Sequence, residues 1–243
     1  MNKFFIIGAQ RSGSTLLIKK LDTHKSINTI KPHFPESKFF LNKQSIQSSE
    51  LFFRKYYSQG IKIVGEKATS YIENDFALKQ IKSIYSDAKI IFLLRDPVIR
   101  AYSNYLFTKS NNHEYRDFST AFYTALENNI KSSVNPYDYK MRSHYLFYIE
   151  KIYSIFEKKN ILLLVFEDII FKKYLPKNIF EFLSIDYCKI KVDKINAINK
   201  TEILPRNLYD NLIKNFISEI EILDKKFSVN TKLWNYDSYR INI

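Results

Sequence analysis

Short apolar runs and longer amphipathic segments alternate along the chain. The runs are rich in β-branched and aromatic residues and predict buried strands at residues 4–7, 61–64, 89–94 and 161–166. Apolar residues repeated every three or four positions predict helices at residues 14–22, 50–59, 74–86, 97–109, 117–128, 141–158 and 206–227. The alternation predicts a three-layer, P-loop-like α/β fold in which helices flank a central, mainly parallel sheet, in a single domain over residues 1–243.

The segments between these elements are predicted to be loops. Residues 24–36 contain too much proline for regular structure, and residues 185–204 are irregular and basic. The continuous apolar run 89–94 is typical of a central parallel strand that is buried on both faces. Residues just past the carboxyl ends of such strands are therefore the first candidates for a ligand site.

The composition is that of a globular chain with an excess of positive charge. Hydrophobic residues make up 45% of its 243 residues, which is enough for a full core. The formal net charge of +13 favours anionic partners such as nucleotides or acidic glycans, although a lysine-rich solvated surface explains it equally well. The sequence has neither a signal-peptide pattern nor an apolar stretch of about twenty residues, so we expect a cytoplasmic protein.

Disulfide and metal chemistry have no support in the residue spacing. Cys188 is the only cysteine, so no internal disulfide can form. The four histidines are scattered and do not match the ligand spacing of a zinc site. We therefore expect no metal.

A glycine-bounded loop joins the first predicted strand to the first helix. Gly8 and Gly13 are separated by four residues, and Ser14 and Thr15 begin the helix. Such a loop directs backbone N–H groups at a phosphate, and the positive end of the helix adds to the attraction. The spacing is that of a Walker A loop, except that Ser14 stands where the nucleotide-binding lysine belongs. We therefore expect a phosphate site of a different kind, to which Arg11 adds a fixed cation.

A second set of phosphate-binding side chains follows the strand at residues 89–94. Arg95 stands at the carboxyl end of this strand, and Asp96 and Pro97 predict the start of a helix. Ser103 lies two turns into that helix and can therefore approach Arg95. A guanidinium and a hydroxyl that both donate hydrogen bonds suit a second phosphate. The alternative is a capped helix with a surface arginine.

Two further polar segments are candidates for catalytic chemistry. Glu36 and His33 lie in the proline-rich loop, where a glutamate is most often simply solvated. Glu66 and Lys67 follow the strand at residues 61–64, so we expect them just past its carboxyl end. An adjacent Glu-Lys pair is also ordinary surface chemistry. The residues by themselves leave both roles open.

Four segments together resemble the family of sulfotransferases that use 3′-phosphoadenosine 5′-phosphosulfate. FFIIGAQRSGSTLL resembles the family's 5′-phosphosulfate loop, and IIFLLRDPVIRAYSNY resembles its 3′-phosphate motif, in the expected order and spacing. PESKFF and GEKATSYI resemble segments of the heparan sulfate and carbohydrate branch. The similarity is clear over residues 3–110, and beyond them it rests on a strand followed by FEDI and on a late basic loop at residues 199–201.

The resemblance implies transfer of a sulfuryl group from this nucleotide cosubstrate to a hydroxyl or amine, with a carbohydrate as the expected acceptor. It implies that Glu36, before the Phe-Phe pair, is the base and that Lys67 supplies a further cation. It assigns donor binding to Arg11, Ser12, Gly13, Ser14, Thr15, Arg95, Ser103 and Lys200. The donor carries two separated phosphates and requires no magnesium, so the family explains the missing Walker lysine.

Arg11 departs from the family pattern. The family often has a lysine at this position, which contacts the oxygen that bridges phosphate and sulfate. Arginine keeps the charge but cannot donate a proton at neutral pH, so Arg11 is expected to stabilise the leaving phosphate by electrostatics alone.

Alternatives remain for the function, the base and the acceptor. A P-loop nucleotide kinase or NTPase shares the strand-loop-helix pattern, and a basic protein that binds glycan or nucleic acid beside an inactive nucleotide pocket fits the charge. The sulfotransferase interpretation itself expects no nucleic-acid partner. His33 is the alternative base. The acceptor is open between a polysaccharide, a lipid-linked saccharide that would bring peripheral membrane contact, a tyrosine and a small molecule.

Overall fold

The computed structural model describes residues 2–125, 135–193 and 203–241. Within them a five-stranded sheet is formed by β1 (Asn2–Gly8), β2 (Ile27–Thr29), β3 (Ile63–Lys67), β4 (Lys89–Leu94) and β5 (Ile161–Val165). The strands lie in the order β2-β3-β1-β4-β5, and every pairing between them is parallel. The α/β class and the parallel sheet are therefore confirmed.

Helices follow the strands along the chain and cover the sheet. In chain order they are α1 (Ser14–Leu21), α2 (Ile46–Arg54), α3 (Asp75–Ile84), α4 (Pro97–Ser110), α5 (Phe118–Tyr123), α6 (Tyr145–Ile155), α7 (Phe166–Lys172), α8 (Lys177–Phe182), α9 (Arg206–Leu212), α10 (Ile217–Phe227) and α11 (Tyr236–Ile241). The start of α4 is as predicted, because the Asp96 side chain accepts hydrogen bonds from the N–H groups of Val98 and Ile99, and Pro97 occupies the first turn.

The two faces of the sheet bury separate cores. Phe5 and Ile90 belong to one face, which packs against α3, α6 and α10. Phe4 and Ile91 belong to the opposite face, which packs against α1, α7 and α8. A third cluster joins α4, α5 and α9. Helices on both faces of one sheet confirm the three-layer architecture, whereas the single-domain organisation stays a prediction.

Two corrections concern the strands β2 and β3. β2 lies within the segment that was predicted to be an irregular loop, since a strand of three residues is too short to show a periodic pattern. β3 extends to Lys67, so Glu66 and Lys67 are its last two residues and do not follow it, as the sequence had suggested. Because successive side chains of a strand point to opposite faces, these two residues serve different surroundings.

Several predicted helix boundaries were also wrong. α2 begins at Ile46, where Ser45 forms a capping box with Ser48, and ends at Arg54. It therefore starts four residues earlier than the predicted helix at residues 50–59. α6 begins only at Tyr145, after a short 3-10 turn. The predicted helix at residues 206–227 is divided into α9 and α10 by another 3-10 turn. α5 ends at Tyr123, before the predicted end at residue 128, and residues 126–128 lie outside the described part of the chain.

The described helices are short compared with the thickness of a bilayer. The longest, α4, has 14 residues. None of the helices within the described ranges is both long and apolar enough to cross a membrane. The cytoplasmic location expected from the sequence stays a prediction.

Candidate functional site

The phosphate loop and the cations Lys67 and Arg95 lie at the carboxyl edge of the sheet. β1 and β4 are neighbours, and the chain continues from β1 toward β2 on one side and from β4 toward β5 on the other. Open α/β sheets bind ligands at such a switch point. The loop after β1 lies at this edge together with Lys67 at the end of β3 and Arg95 after β4.

The loop after β1 leaves the amino end of α1 open to an anion. Gly13 precedes α1 with φ 88°, and no side chain caps the helix. The N–H groups of the first turn, from Ser14 onward, therefore have no partner within the helix. A Cβ atom on Gly13 would lie 2.4 Å from the ring of Phe166, so both the backbone angle and this close packing require glycine.

The two predicted phosphate motifs contact each other directly. Arg11 Nε donates a hydrogen bond to Ser103 Oγ at 3.2 Å. Arg95 Nη1 donates to the carbonyl oxygen of Arg11 at 3.0 Å. The guanidinium groups also lie over aromatic rings, Arg11 at 4.8 Å from the centre of Phe107 and Arg95 at 5.0 Å from that of Phe166. The structure therefore brings Arg11, Arg95 and Ser103 together.

Positive charge accumulates in this cluster. Burial, and secondly the charge of Arg95, lower the pKa of Arg11 to about 10. Arg11 therefore remains protonated at neutral pH beside a second guanidinium. Two like charges held in one partly buried place favour a bound anion, because a phosphate accepts hydrogen bonds from both.

Behind Arg95 lies a network of two buried carboxyl groups. Asp96 Oδ2 accepts a hydrogen bond from the Tyr209 hydroxyl at 2.5 Å, and the Asp96 N–H donates to Glu167 Oε1 at 3.0 Å. The indole N–H of Trp234 donates to Glu167 Oε2 at 3.1 Å. Burial raises the pKa of Glu167 to about 7. The chain after α10 is thus tied to the strand end that carries Arg95, and no pattern in the sequence pointed to Tyr209 or Trp234.

Glu36 and Lys67 form an ion pair beside the phosphate loop. Lys67 Nζ lies 2.9 Å from Glu36 Oε1 and donates a hydrogen bond to Thr15 Oγ1 at 3.1 Å. The N–H and the hydroxyl of Thr69 donate to the two carboxylate oxygens of Glu36, each at 3.0 Å. The side chain of Glu36 is 11% exposed and that of Lys67 is 2% exposed. Sequence reasoning missed Thr69, although it lies in the GEKATSYI segment.

Glu66 and His33 occupy different surroundings from this ion pair. Glu66 is buried on the opposite face of β3, where it accepts a hydrogen bond from the Tyr71 hydroxyl at 2.8 Å. His33 Nε2 lies 2.7 Å from Thr29 Oγ1. The Thr29 hydroxyl donates to Asp22 Oδ1 at 2.6 Å, so the His33 Nε2–H is the donor to Thr29. Burial lowers the pKa of His33, which keeps it neutral at pH 7.

Two of the remaining expectations concern Lys200 and metal ions. Lys200 lies outside the described residues. Among residues 2–125, 135–193 and 203–241, no group of three His, Cys, Asp or Glu side chains could hold a metal ion. The role of Lys200 in donor binding therefore stays a prediction. Transfer without a metal ion stays a prediction as well.

Comparisons with known proteins bear on the family and the fold of this chain. The family profile described as "Sulfotransferase domain" matches residues 1–233. A 101-residue segment, 40% of this chain, is 37% identical to the Caenorhabditis elegans "Bifunctional heparan sulfate N-deacetylase/N-sulfotransferase 1" and covers 12% of that protein. A 119-residue segment, 47% of this chain, is 29% identical to the Mus musculus "Heparan sulfate glucosamine 3-O-sulfotransferase 3B1" and covers 29% of that protein. These matches thus span less than a third of either relative.

The fold has a solved counterpart over nearly its full length. The crystal structure of a sulfotransferase from Alicyclobacillus acidocaldarius aligns with a TM-score of 0.75, covering 96% of this chain and 98% of that one, at 19% identity. This likeness concerns the fold, whereas the family profile concerns the sequence and covers almost the whole chain. The protein therefore belongs to the sulfotransferase domain family.

Proposed function

We propose that this protein transfers a sulfuryl group from 3′-phosphoadenosine 5′-phosphosulfate to a hydroxyl or amine of a carbohydrate. The observation that carries the proposal is the position of Lys67 Nζ, which bridges Glu36 and Thr15 and so connects the candidate base with the phosphate loop. Family membership supports the type of reaction. Relatives named as heparan sulfate sulfotransferases support a saccharide acceptor.

The donor has two separated phosphate groups, and the site offers two places for them. The open amino end of α1, with Ser12, Ser14 and Thr15, suits the 5′-phosphosulfate. Arg95 and Ser103 suit the 3′-phosphate, since a guanidinium and a hydroxyl both donate hydrogen bonds. Ser14 in place of a lysine argues against a triphosphate, as a nucleotide kinase would require.

The proposed reaction is an in-line displacement at sulfur. Glu36 accepts the proton of the acceptor hydroxyl while the acceptor oxygen bonds to sulfur and the bond from sulfur to the bridging phosphate oxygen breaks. The products are the sulfated acceptor and 3′,5′-adenosine bisphosphate. Lys67 and the N–H groups of the phosphate loop stabilise the charge that develops on the departing phosphate.

Arg11 has a position different from that of Lys67. Its side chain is hydrogen-bonded to Ser103, so we assign it to the donor's phosphates, and Lys67 is the cation next to the base. Of the two phosphates, we assign Arg11 to the 3′-phosphate, because its hydrogen-bond partner Ser103 belongs to that motif.

The decisive experiment is the transfer of labelled sulfate. The wild-type protein, the labelled donor and polysaccharide and lipid-linked saccharide fractions are incubated, and the labelled product is identified. Glu36→Gln should reduce transfer by a factor of at least about 100 while 3′,5′-adenosine bisphosphate still binds. A label found only on tyrosine or small molecules would overturn the carbohydrate assignment, and near-normal transfer by Glu36→Gln would move the base to another residue such as His33.

A further inference from the structure

Two consecutive loop residues contact two consecutive strand residues at the end of β3. Glu36 pairs with Lys67 on one face of the sheet, at 2.9 Å. On the other face, the hydroxyl of Ser37 donates a hydrogen bond to Glu66 Oε1. The chain at residues 36–37 is therefore attached to both faces of the strand end. We call the contacts of Glu66 with the loop the Glu66 clamp, formed by Glu66, Ser37 and Tyr71.

Tyr71 extends the clamp to a second point of the same loop. Its hydroxyl donates to Glu66 Oε1 at 2.8 Å and accepts a hydrogen bond from the N–H of Phe40 at 3.0 Å. Phe40 is fully buried in the core, where its ring packs edge-on to that of Phe5. Glu66 therefore holds the loop at Ser37 directly and at Phe40 through Tyr71.

Burying a carboxyl group at this place in the fold costs folding free energy. Glu66 is 1% exposed, and no cationic side chain pairs with it in the described part of the chain, unlike Glu36. Burying such a group without a countercharge lowers stability, and burial raises its pKa to about 7. A carboxyl group buried at such a cost is better explained by what it positions than by the stability it adds.

We propose that Glu66 is a positioning residue for sulfuryl transfer, because its hydrogen bonds to Ser37 and Tyr71 hold the backbone from which Glu36 reaches the acceptor. This inference rests on the proposed function, in which Glu36 is the base. Ser37 is the next residue after Glu36 in the chain, so a shift of Ser37 displaces Glu36 directly. A displacement of about 1 Å at a reacting group can cost a factor of about 100 in rate.

The first measurement separates turnover from donor binding in three variants. Glu66→Ala should lower kcat by about 30-fold or more, whereas the donor KM and the Kd of 3′,5′-adenosine bisphosphate stay within about twofold of the wild type. Ser37→Ala, which removes one of the two attachments, should lower kcat by about fivefold to tenfold. Glu66→Gln keeps an oxygen that accepts both hydrogen bonds, so most of the turnover should be retained.

Lys3→Met is the matched control for lost stability. Lys3 is a buried charge at the amino end of β1, at the opposite edge of the sheet, where it pairs with Glu50. We expect this variant to lower Tm and leave kcat unchanged. If Glu66→Ala lowers Tm as much as Lys3→Met does and leaves kcat unchanged, Glu66 has only a structural role and the proposal is wrong. If Glu66→Ala does not fold, Ser37→Ala decides by the same criterion, and Glu66→Gln serves as the variant in which turnover is retained.

A second measurement does not depend on turnover. Hydrogen exchange of peptides that cover residues 31–41 should be faster in Glu66→Ala than in the wild type, while peptides from β1 and α1 exchange at unchanged rates. Unchanged exchange of residues 31–41 would overturn the clamp. If the wild-type protein transfers no sulfate to any acceptor, the proposed function fails, yet the exchange of this segment still supports or overturns the clamp.

Discussion

Replacing Arg11 by alanine tests which phosphate of the donor this side chain binds. Arg11 Nε lies 3.2 Å from Ser103 Oγ and its carbonyl accepts from Arg95, so the guanidinium is on the proposed 3′-phosphate side. A charge-assisted hydrogen bond contributes about 1.5–3 kcal/mol, which corresponds to a factor of about 10–150 in Kd. Removing Arg11 also relieves its repulsion of Arg95, so we expect the lower part of this range, about 10–30-fold.

Calorimetry with two nucleotides measures this effect. 5′-AMP lacks the 3′-phosphate, so Arg11→Ala should weaken binding of 3′,5′-adenosine bisphosphate by the stated factor and leave binding of 5′-AMP within about twofold. Arg11→Lys is the matched control, since it keeps the charge and loses the planar Nε–H, and an intermediate loss is expected. Equal losses for both nucleotides would refute the reasoning and place Arg11 on the 5′-phosphate, next to the leaving group.

Three further predictions concern catalysis, the donor site and the pH dependence of stability. Lys67→Met should lower kcat by about 100-fold, because the charge on the departing phosphate loses its nearest cation, and steady-state kinetics that show unchanged kcat would contradict this role. Trp234 is the only tryptophan, and it is linked through Glu167 to the chain next to Arg95, so 3′,5′-adenosine bisphosphate should change its fluorescence in a saturable titration. No change under conditions where calorimetry detects binding would disprove this connection. Burial raises the pKa of Glu66 from 4.5 to about 7, so the folded protein holds this proton more tightly than the unfolded chain does. The contribution of protonated Glu66 to stability is therefore fully present below pH 4.5 and is lost as the pH rises through about 7. The loss amounts to about 3 kcal/mol at 1.36 kcal/mol per pKa unit. In urea denaturation, the free energy of unfolding of the wild type should fall across this pH range, and in Glu66→Gln it should fall by this amount less. Parallel pH profiles of the two proteins would contradict the prediction.

The sequence predicted the buried strand β4 and the start of α4 well because their signals are local. The apolar run at residues 89–94 became β4 without change, and Asp96 with Pro97 marked the start of α4. Short or interrupted elements were missed or misplaced, since three residues of β2 show no period and the amphipathic pattern of residues 206–227 continues across a turn. The place of Glu66 and Lys67 was missed for a related reason, because polar residues at the end of an apolar run do not reveal where the strand ends.

The amino-acid sequence by itself determined the type of fold and the chemical nature of the site. Glycine spacing, a helix start and cations next to strand ends are properties of neighbouring residues, and they were sufficient to predict two phosphate motifs. Only the tertiary structure decided which side chains far apart in the chain contact each other. Arg11 contacts Ser103, Lys67 contacts Glu36 and Thr15, and Glu66 contacts Ser37. The parallel sheet brings the ends of β1, β3 and β4 to one edge, and the alternation of side chains along β3 sends Lys67 and Glu66 to opposite faces.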